Sequence, residues 1–221
     1  MSYNVQGINQ KDKQVALADE FVSKNITAML IQETKIQKQE EISISSTCGK
    51  RLMIYNSGHN SKSLKGVAIM VPEDMAIAFK PVDERICLAE LRPDKTSRKK
   101  IVVLSIYAPT EDETKEKPDK TDDFYNKLGS VLQTVSKRDC LIIGGDFNAR
   151  TKLSEKHEIT KYAEVVGKYA RSKVNENGRR LLEFAKMNNL QLTNPFFKHK
   201  ASQLVTWESA LHPKNGRKNP Y

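Results

Sequence analysis

"LIIGGDFNAR", residues 141–150, is an apolar run that breaks at two glycines and then presents Asp146, Phe147 and Asn148. A run of Leu and Ile bounded by glycines reads as a buried strand. A strand interior has no use for a carboxylate and an amide two residues apart, whereas a site that grips a polar ligand beyond a sheet uses both. Other runs end the same way. "MLIQETK" delivers Glu33, "LSIYAPT" delivers Tyr107 ahead of the strand-stopping Pro109, and "YNVQG" offers Asn4 before a glycine. Ligands of α/β proteins commonly bind beyond the carboxyl ends of strands, so these groups are expected to converge.

The rest of the chain supplies the architecture. Leu17, Ala18, Phe21 and Val22 mark one face of a helix between residues 10 and 25. Strand-like runs follow at 27–33, 51–57, 66–72, 75–82, 85–91 and 100–110, the last two joined as a hairpin. Phe124, Leu128, Val131, Leu132 and Val135 mark a second helix, and the opening strand follows it. Asn177-Gly178 is read as the start of a third helix, with Asn177 its N-cap and Leu181, Phe184 and Ala185 on its buried face. "LQLTN" (190–194) and "QLVTWES" (203–209) read as further strands. Strands with helices between some of them indicate an α/β sandwich of mixed sheets rather than a doubly wound fold.

Net charge is +10, and residues 171–221 hold ten Lys/Arg against three Glu. Such asymmetry points to a polyanionic partner, since neutralising phosphates releases counterions; charge alone does not separate DNA from RNA. The three cysteines lack metal-type spacing, and Cys140, beside Leu141 and Ile142, is expected in the core. The four histidines show no paired spacing. No apolar run approaches the roughly 20 residues of a membrane span, and the start lacks the pattern of a signal peptide. An intracellular protein, nuclear or cytoplasmic and monomeric, is expected. Phosphate-binding glycine motifs are missing, so no nucleotide cofactor is expected.

The strand-end residues suit one chemistry. Glu33 is a hard oxygen ligand for Mg²⁺, and Asn4 adds a carbonyl oxygen to the same ion. Asp146 is placed to orient or deprotonate a water, while Asn148 and the Tyr107 hydroxyl donate to a phosphoryl oxygen. Gly144 and Gly145 permit close approach. Together they describe metal-assisted phosphodiester hydrolysis.

Six motifs in order, "NVQGIN", "LIQETK", "IYAPT", "IGGDFNA", "VNENGRRLLEFA" and "VTWES", resemble the exonuclease–endonuclease–phosphatase superfamily over nearly the whole chain. Within it they look most like AP-endonuclease-type domains of non-LTR, RTE-like retrotransposons and their craniofacial-development-protein derivatives. The resemblance implies a DNase I-like, four-layered α/β sandwich with two mixed sheets, Mg²⁺ or Mn²⁺, and nicking of DNA. By motif it assigns Asn4 and Glu33 to the metal, Tyr107 to the phosphate, and Asp146 and Asn148 to positioning nucleophile and phosphate or a second ion. Thr206 and Trp207 match its nucleic-acid-contacting "TW" pair, with Trp207 read as a core residue. The chain departs from the family pattern in lacking Ile-Asp-Tyr and Ser-Asp-His, and in carrying Gln6 where repair-type AP endonucleases carry Asp. It is therefore expected to be one domain, 1–221, incomplete at both ends and weakly active or inactive. The rival expectations are a catalytically silent module that binds nucleic acid or protein, and a small-molecule phosphatase, which the basic C-terminal region disfavours.

Overall fold

A computed structural model describes residues 1–59, 65–92, 94 and 96–200. The chain packs as two compact units: Met1–Pro109 with Lys120–Phe147, and Thr110–Asp119 with Asn148 onward.

The first unit holds two sheets. One has five strands in the order β1-β2-β5-β4-β3, formed by β1 (Ser2–Asn4), β2 (Met29–Gln32), β3 (Glu40–Ser45), β4 (Arg51–Asn56) and β5 (Val67–Pro72). The other has four, β6 (Ala76–Asp83), β7 (Ile86–Leu91), β8 (Ile101–Tyr107) and β9 (Cys140–Asp146), in sequence order. Both are mixed: β1–β2 and β8–β9 are parallel, and every other pair is antiparallel.

Alternation along the strands decides what each face buries. Helix α1 (Lys11–Ser23) turns Leu17, Ala18 and Phe21 onto Met29, Ile31, Leu52, Ile54 and Met70 on the outer face of the five-stranded sheet. Leu30, Val67, Ile69 and Val71 point the other way, against Cys87, Ala89, Leu91 and Val103 of the second sheet. Central β5 is therefore apolar on both faces, whereas edge strand β3 shows solvent its Glu40, Glu41, Ser43 and Ser45. In chain order α2 (Glu111–Glu116) precedes α3 (Pro118–Gln133), in which Phe124, Tyr125 and Leu128 are buried. Lys127 of α3 bridges to Asp83 at the end of β6 at 2.5 Å. The expected two-sheet α/β sandwich flanked by helices is what forms.

The second unit is small. Tyr162, Val165, Leu182 and Ala185 form its core, with Leu153, Val166, Val174, Leu190 and Leu192 packed around them. Its helices are α2, α4 (Lys156–Lys161) and α5 (Glu176–Met187). Thr110 caps α2 in a reciprocal capping box with Glu113.

Four expectations need correction. Asn175, not Asn177, caps α5: its side chain accepts from Gly178 N at 2.9 Å, and Asn177 lies buried inside the first turn. "LQLTN" is not a strand; Leu192 makes one isolated bridge to Val166, and the chain then enters a 3-10 turn over Asn194–Phe196 with Pro195 in it. β9 is not buried, because it ends its sheet among the described residues and pairs with β8 alone. For the same reason Cys140 is exposed rather than in the core, and Ile142 is 47% exposed. "QLVTWES" lies outside the described residues. Among the described residues, no helix is long and apolar enough to cross a membrane.

Candidate active site

Within the first unit, Asn4, Glu33, Tyr107 and Asp146 sit at the carboxyl ends of β1, β2, β8 and β9 or one residue beyond. Two parallel pairings make this happen. Asn4 is the Cα partner of Gln32 in β1–β2, and Tyr107 the partner of Asp146 in β8–β9, so each pair of strands delivers its polar residues to the same end.

Glu33 is the hub. Its Oε1 accepts from Asn4 Nδ2 at 2.8 Å and from the Tyr107 hydroxyl at 3.0 Å. The carboxylate of one sheet thus holds the phenol of the other. Its backbone has φ of 54°, a left-handed conformation that a residue with a Cβ rarely adopts. The following residues hold it there. Buried Thr34 donates its hydroxyl to Asn56 Oδ1 at 2.8 Å, and the Thr34 and Lys35 amides donate to the Gly66 and Lys65 carbonyls at 3.1 and 2.9 Å. Gly66 is needed there, since a Cβ would stand 2.4 Å from Thr34 Oγ1.

A buried polar chain lies just beneath. Gln32 Nε2 donates to Ser105 Oγ at 3.1 Å, Ser105 Oγ donates to the Ile31 carbonyl at 3.1 Å, and Ser2 Oγ donates to Gln32 Oε1 at 3.1 Å. These bonds tie β2 to β8 across an otherwise apolar interface, one residue before Glu33 and two before Tyr107. Buried polar groups that satisfy one another fix a unique alignment.

Tyr107 is set from three directions. Arg85 Nη1 donates to its carbonyl at 3.1 Å, and the guanidinium carbon lies 5.6 Å from its ring centroid. Burial, and then the Glu33 charge and hydrogen bond and the charge of Asp146, push its hydroxyl well above the usual tyrosine range, with Arg85 opposing. Tyr107 is therefore a neutral donor. On β9, Gly145 has φ of 150°, and a Cβ there would stand 2.0 Å from the Ile106 carbonyl oxygen. Its lack of a side chain lets β9 lie close against β8 where the Ala108 amide donates to the Asp146 carbonyl at 2.8 Å.

Asn148 belongs to the second unit. It too is left-handed, with φ of 48°. Its carbonyl accepts from Asn175 Nδ2 and Asn177 Nδ2, each at 3.2 Å. Asn175 Oδ1 also accepts from the Arg150 amide at 2.9 Å, and Arg150 pairs with Glu111 at 3.0 Å. The segment carrying Asn148 is thereby fastened to the start of α5. Thr206 and Trp207 lie outside the described residues.

Glu33 and Asn4 offer oxygen donors of the kind a hard divalent cation takes. Glu33 Oε1 is occupied by two donors, which leaves Oε2 facing none among the described residues. The donor set fits such an ion. The sequence carried no sign of Arg85, Gln32 or Ser105: Arg85 follows the turn at Asp83, and the other two look like ordinary strand residues.

A family model described as an endonuclease-reverse transcriptase matches residues 101–210. Craniofacial development protein 2 of Bos taurus is 29% identical over 215 residues, which cover 94% of this chain and 33% of that protein. The Tragulus javanicus protein of the same name is 29% identical over 163 residues, covering 71% of this chain and 26% of that protein. The chain thus spans about a third or less of the length of these curated relatives. Among solved structures, an AP endonuclease from Leishmania major superposes with a TM-score of 0.56 at 12% identity, covering 85% of this chain and 66% of that one. The catalytic domain of Xenopus laevis APE2 gives 0.52 at 16%, covering 83% and 66%. At these identities the likeness is one of fold.

Proposed function

We infer that this chain is a member of the exonuclease–endonuclease–phosphatase superfamily, and within it a Mg²⁺-dependent endonuclease domain of retrotransposon origin that nicks DNA. The observation that carries the reading is the double hydrogen bond to Glu33 Oε1 from Asn4 and Tyr107, made at the ends of strands from two sheets. A structural ion pair would put a cation there; the amide and the phenol are neutral partners. The endonuclease-reverse transcriptase family model supports the proposed origin.

Glu33 and Asn4 would hold the ion, with Mn²⁺ as a substitute. When bound, it supplies charge neutralisation at the phosphoryl oxygen. The chain's own residues do the rest. Tyr107, kept protonated by its surroundings, would turn its one O–H from Glu33 Oε1 to a phosphoryl oxygen once the ion holds Glu33, and so meet the charge that grows there. Asp146 takes the proton of the attacking water. Asn148 is assigned by motif alone, to the phosphate or to a second ion. Thr206 and Trp207 are assigned to DNA by motif alone. DNA is the partner proposed, and the +10 net charge supports a polyanion.

The test has two readouts. Calorimetric titration with Mg²⁺ should show binding that Glu33→Ala weakens at least tenfold. Supercoiled plasmid should be nicked with Mg²⁺, not with EDTA, and not by Asp146→Asn. Metal binding unaffected by Glu33→Ala would place the ion elsewhere. DNA binding without nicking would instead make the domain a silent nucleic-acid-binding module.

A further inference from the structure

We propose that the second unit carries a separate surface that captures single-stranded DNA by stacking bases on exposed aromatic rings. The proposal rests on the DNA-directed reading above. It concerns residues that the strand-end site does not use.

Two segments build the surface, "GKYARSK" (167–173) and "NPFFKHK" (194–200). They are side by side: Tyr169 N donates to the Pro195 carbonyl at 3.0 Å, and Leu192 N to the Val165 carbonyl at 2.8 Å. Gly167 allows the approach, because a Cβ there would stand 2.3 Å from the Pro195 oxygen and 2.5 Å from Phe196 Cα. Tyr169, Phe196 and Phe197 are exposed, by 36%, 38% and 65%. In a protein that buries Phe21 and Phe124 almost completely, two adjacent phenylalanines left in water with a nearby tyrosine call for a partner.

The charges say which partner. Lys168, Arg171, Lys173, Lys198 and Lys200 are all exposed, and residues 165–175 and 187–200 contain no Asp or Glu. Lys168 Nζ lies 5.3 Å from the Tyr169 ring centroid. Lys152 joins them through its bridge to Lys173. An anionic membrane would also meet rings and cations together; the DNA-directed reading and the +10 net charge favour nucleic acid, and binding to anionic lipid vesicles in preference to the single strand would overturn the proposal. Rings interleaved with cations, with acids excluded, match a phosphate backbone whose bases are free to stack. Duplex DNA keeps its bases stacked on each other and would use only the cations.

The experiment is fluorescence anisotropy of the 221-residue chain with a labelled 12-nucleotide single strand and with a hairpin duplex, each over a range of salt. Phe197→Ala is mostly solvent-exposed and should fold normally by circular dichroism. It should weaken single-strand binding by about fivefold or more, leave duplex binding within about twofold, and keep the salt slope. Lys198→Gln should weaken both ligands and make the slope shallower by about one. A 2-aminopurine probe in the single strand should change its fluorescence on binding wild type and much less on binding Phe197→Ala or Tyr169→Ala. Equal losses on single strand and duplex, no loss at all, or a preference for single-stranded RNA of the same sequence would overturn the proposal. Plasmid nicking separates this idea from the nuclease reading. Intact nicking with unchanged single-strand binding by Phe197→Ala sinks the surface alone; ring-dependent binding without nicking sinks the nuclease alone.

Discussion

The Tyr107 hydroxyl donates to Glu33 Oε1 at 3.0 Å, joining the end of β8 in one sheet to the residue after β2 in the other. A donor facing a carboxylate resists losing its proton. The folded hydroxyl is held above its ordinary value of 10.0, by burial first and then by Glu33. Because the folded value is the raised one, its contribution is full below pH 10 and is lost as pH climbs from there through the folded value. The stability advantage of wild type over Tyr107→Phe should shrink as pH rises above about 10. Urea midpoints of both proteins at pH 8 and at several alkaline values check this, and a constant difference would mean an unperturbed tyrosine.

Glu33→Ala and Asp146→Asn should separate two roles on the proposed reading. Asp146→Asn removes a proton acceptor, a step worth on the order of 10²–10⁴ in rate, and raising Mg²⁺ should recover none of it. Glu33→Ala removes an ion ligand, so part of its loss should return at high Mg²⁺. Both side chains lie at strand ends and are only half-buried, so neither change should unfold the domain, but Glu33→Ala also removes the acceptor of Asn4 and Tyr107 and should lower the thermal midpoint more than Asp146→Asn. Full nicking by either well-folded variant would show the site to be misplaced.

Gly145→Ala is expected to be severe. Its Cβ would meet the Ile106 carbonyl oxygen at 2.0 Å, a backbone atom that cannot swing aside, at a φ of 150°. Overpacking against fixed backbone costs about 3 kcal/mol. Urea denaturation should show the midpoint falling with the slope kept; a loss below about 1 kcal/mol would mean that β9 gives way easily.

The bond from Gln32 to Ser105 makes a double-mutant cycle informative. Gln32→Met and Ser105→Ala each strand a buried partner and should cost about 1–3 kcal/mol. The double variant should cost less than their sum by about 1 kcal/mol. Strict additivity would mean the two sheets hold their alignment without this bond.

Asn175→Ala should cost about 1–2 kcal/mol, since one side-chain oxygen serves both Gly178 N and Arg150 N. Asn177→Ala should cost comparably for a different reason. Its amide donates to the Asn148 carbonyl, and its oxygen accepts from Thr114 Oγ1 at 2.9 Å. The two are told apart by helix content: only the Asn175 change should fray the start of α5 in amide exchange.

In "NENG" either asparagine is a chemically sound cap. The buried residues of α5 fix its face but not its first turn, and both asparagines can accept from a nearby amide. Apolar runs such as "VAIMVP" are read easily because a covered strand needs them. "LQLTN" looked similar, but only Leu192 finds a partner before Pro195 ends the pairing. Cys140 is exposed for a related reason: an apolar neighbourhood in sequence does not reveal that a strand lies at a sheet edge. Of the strand-end residues, Asn4, Glu33, Tyr107 and Asp146 were legible because each breaks an apolar run. Gln32 and Ser105 were not, because a polar residue inside a strand looks solvent-facing until the opposing sheet is known.

The left-handed backbone at Glu33 bears on how relatives of this domain should diverge on the proposed reading. Glycine accepts that conformation at no steric cost, and asparagine and aspartate tolerate it better than glutamate, which is disfavoured there by roughly 1 kcal/mol. Drift unconstrained by chemistry should therefore replace Glu33 with one of those residues early, while strand positions such as Leu30 and Ile31 are still held by the core. On the reading of Glu33 as an ion ligand, glutamate at position 33 would mark a relative in which the carboxylate is kept against the preference of its own backbone, and glycine or asparagine one in which that constraint has ended.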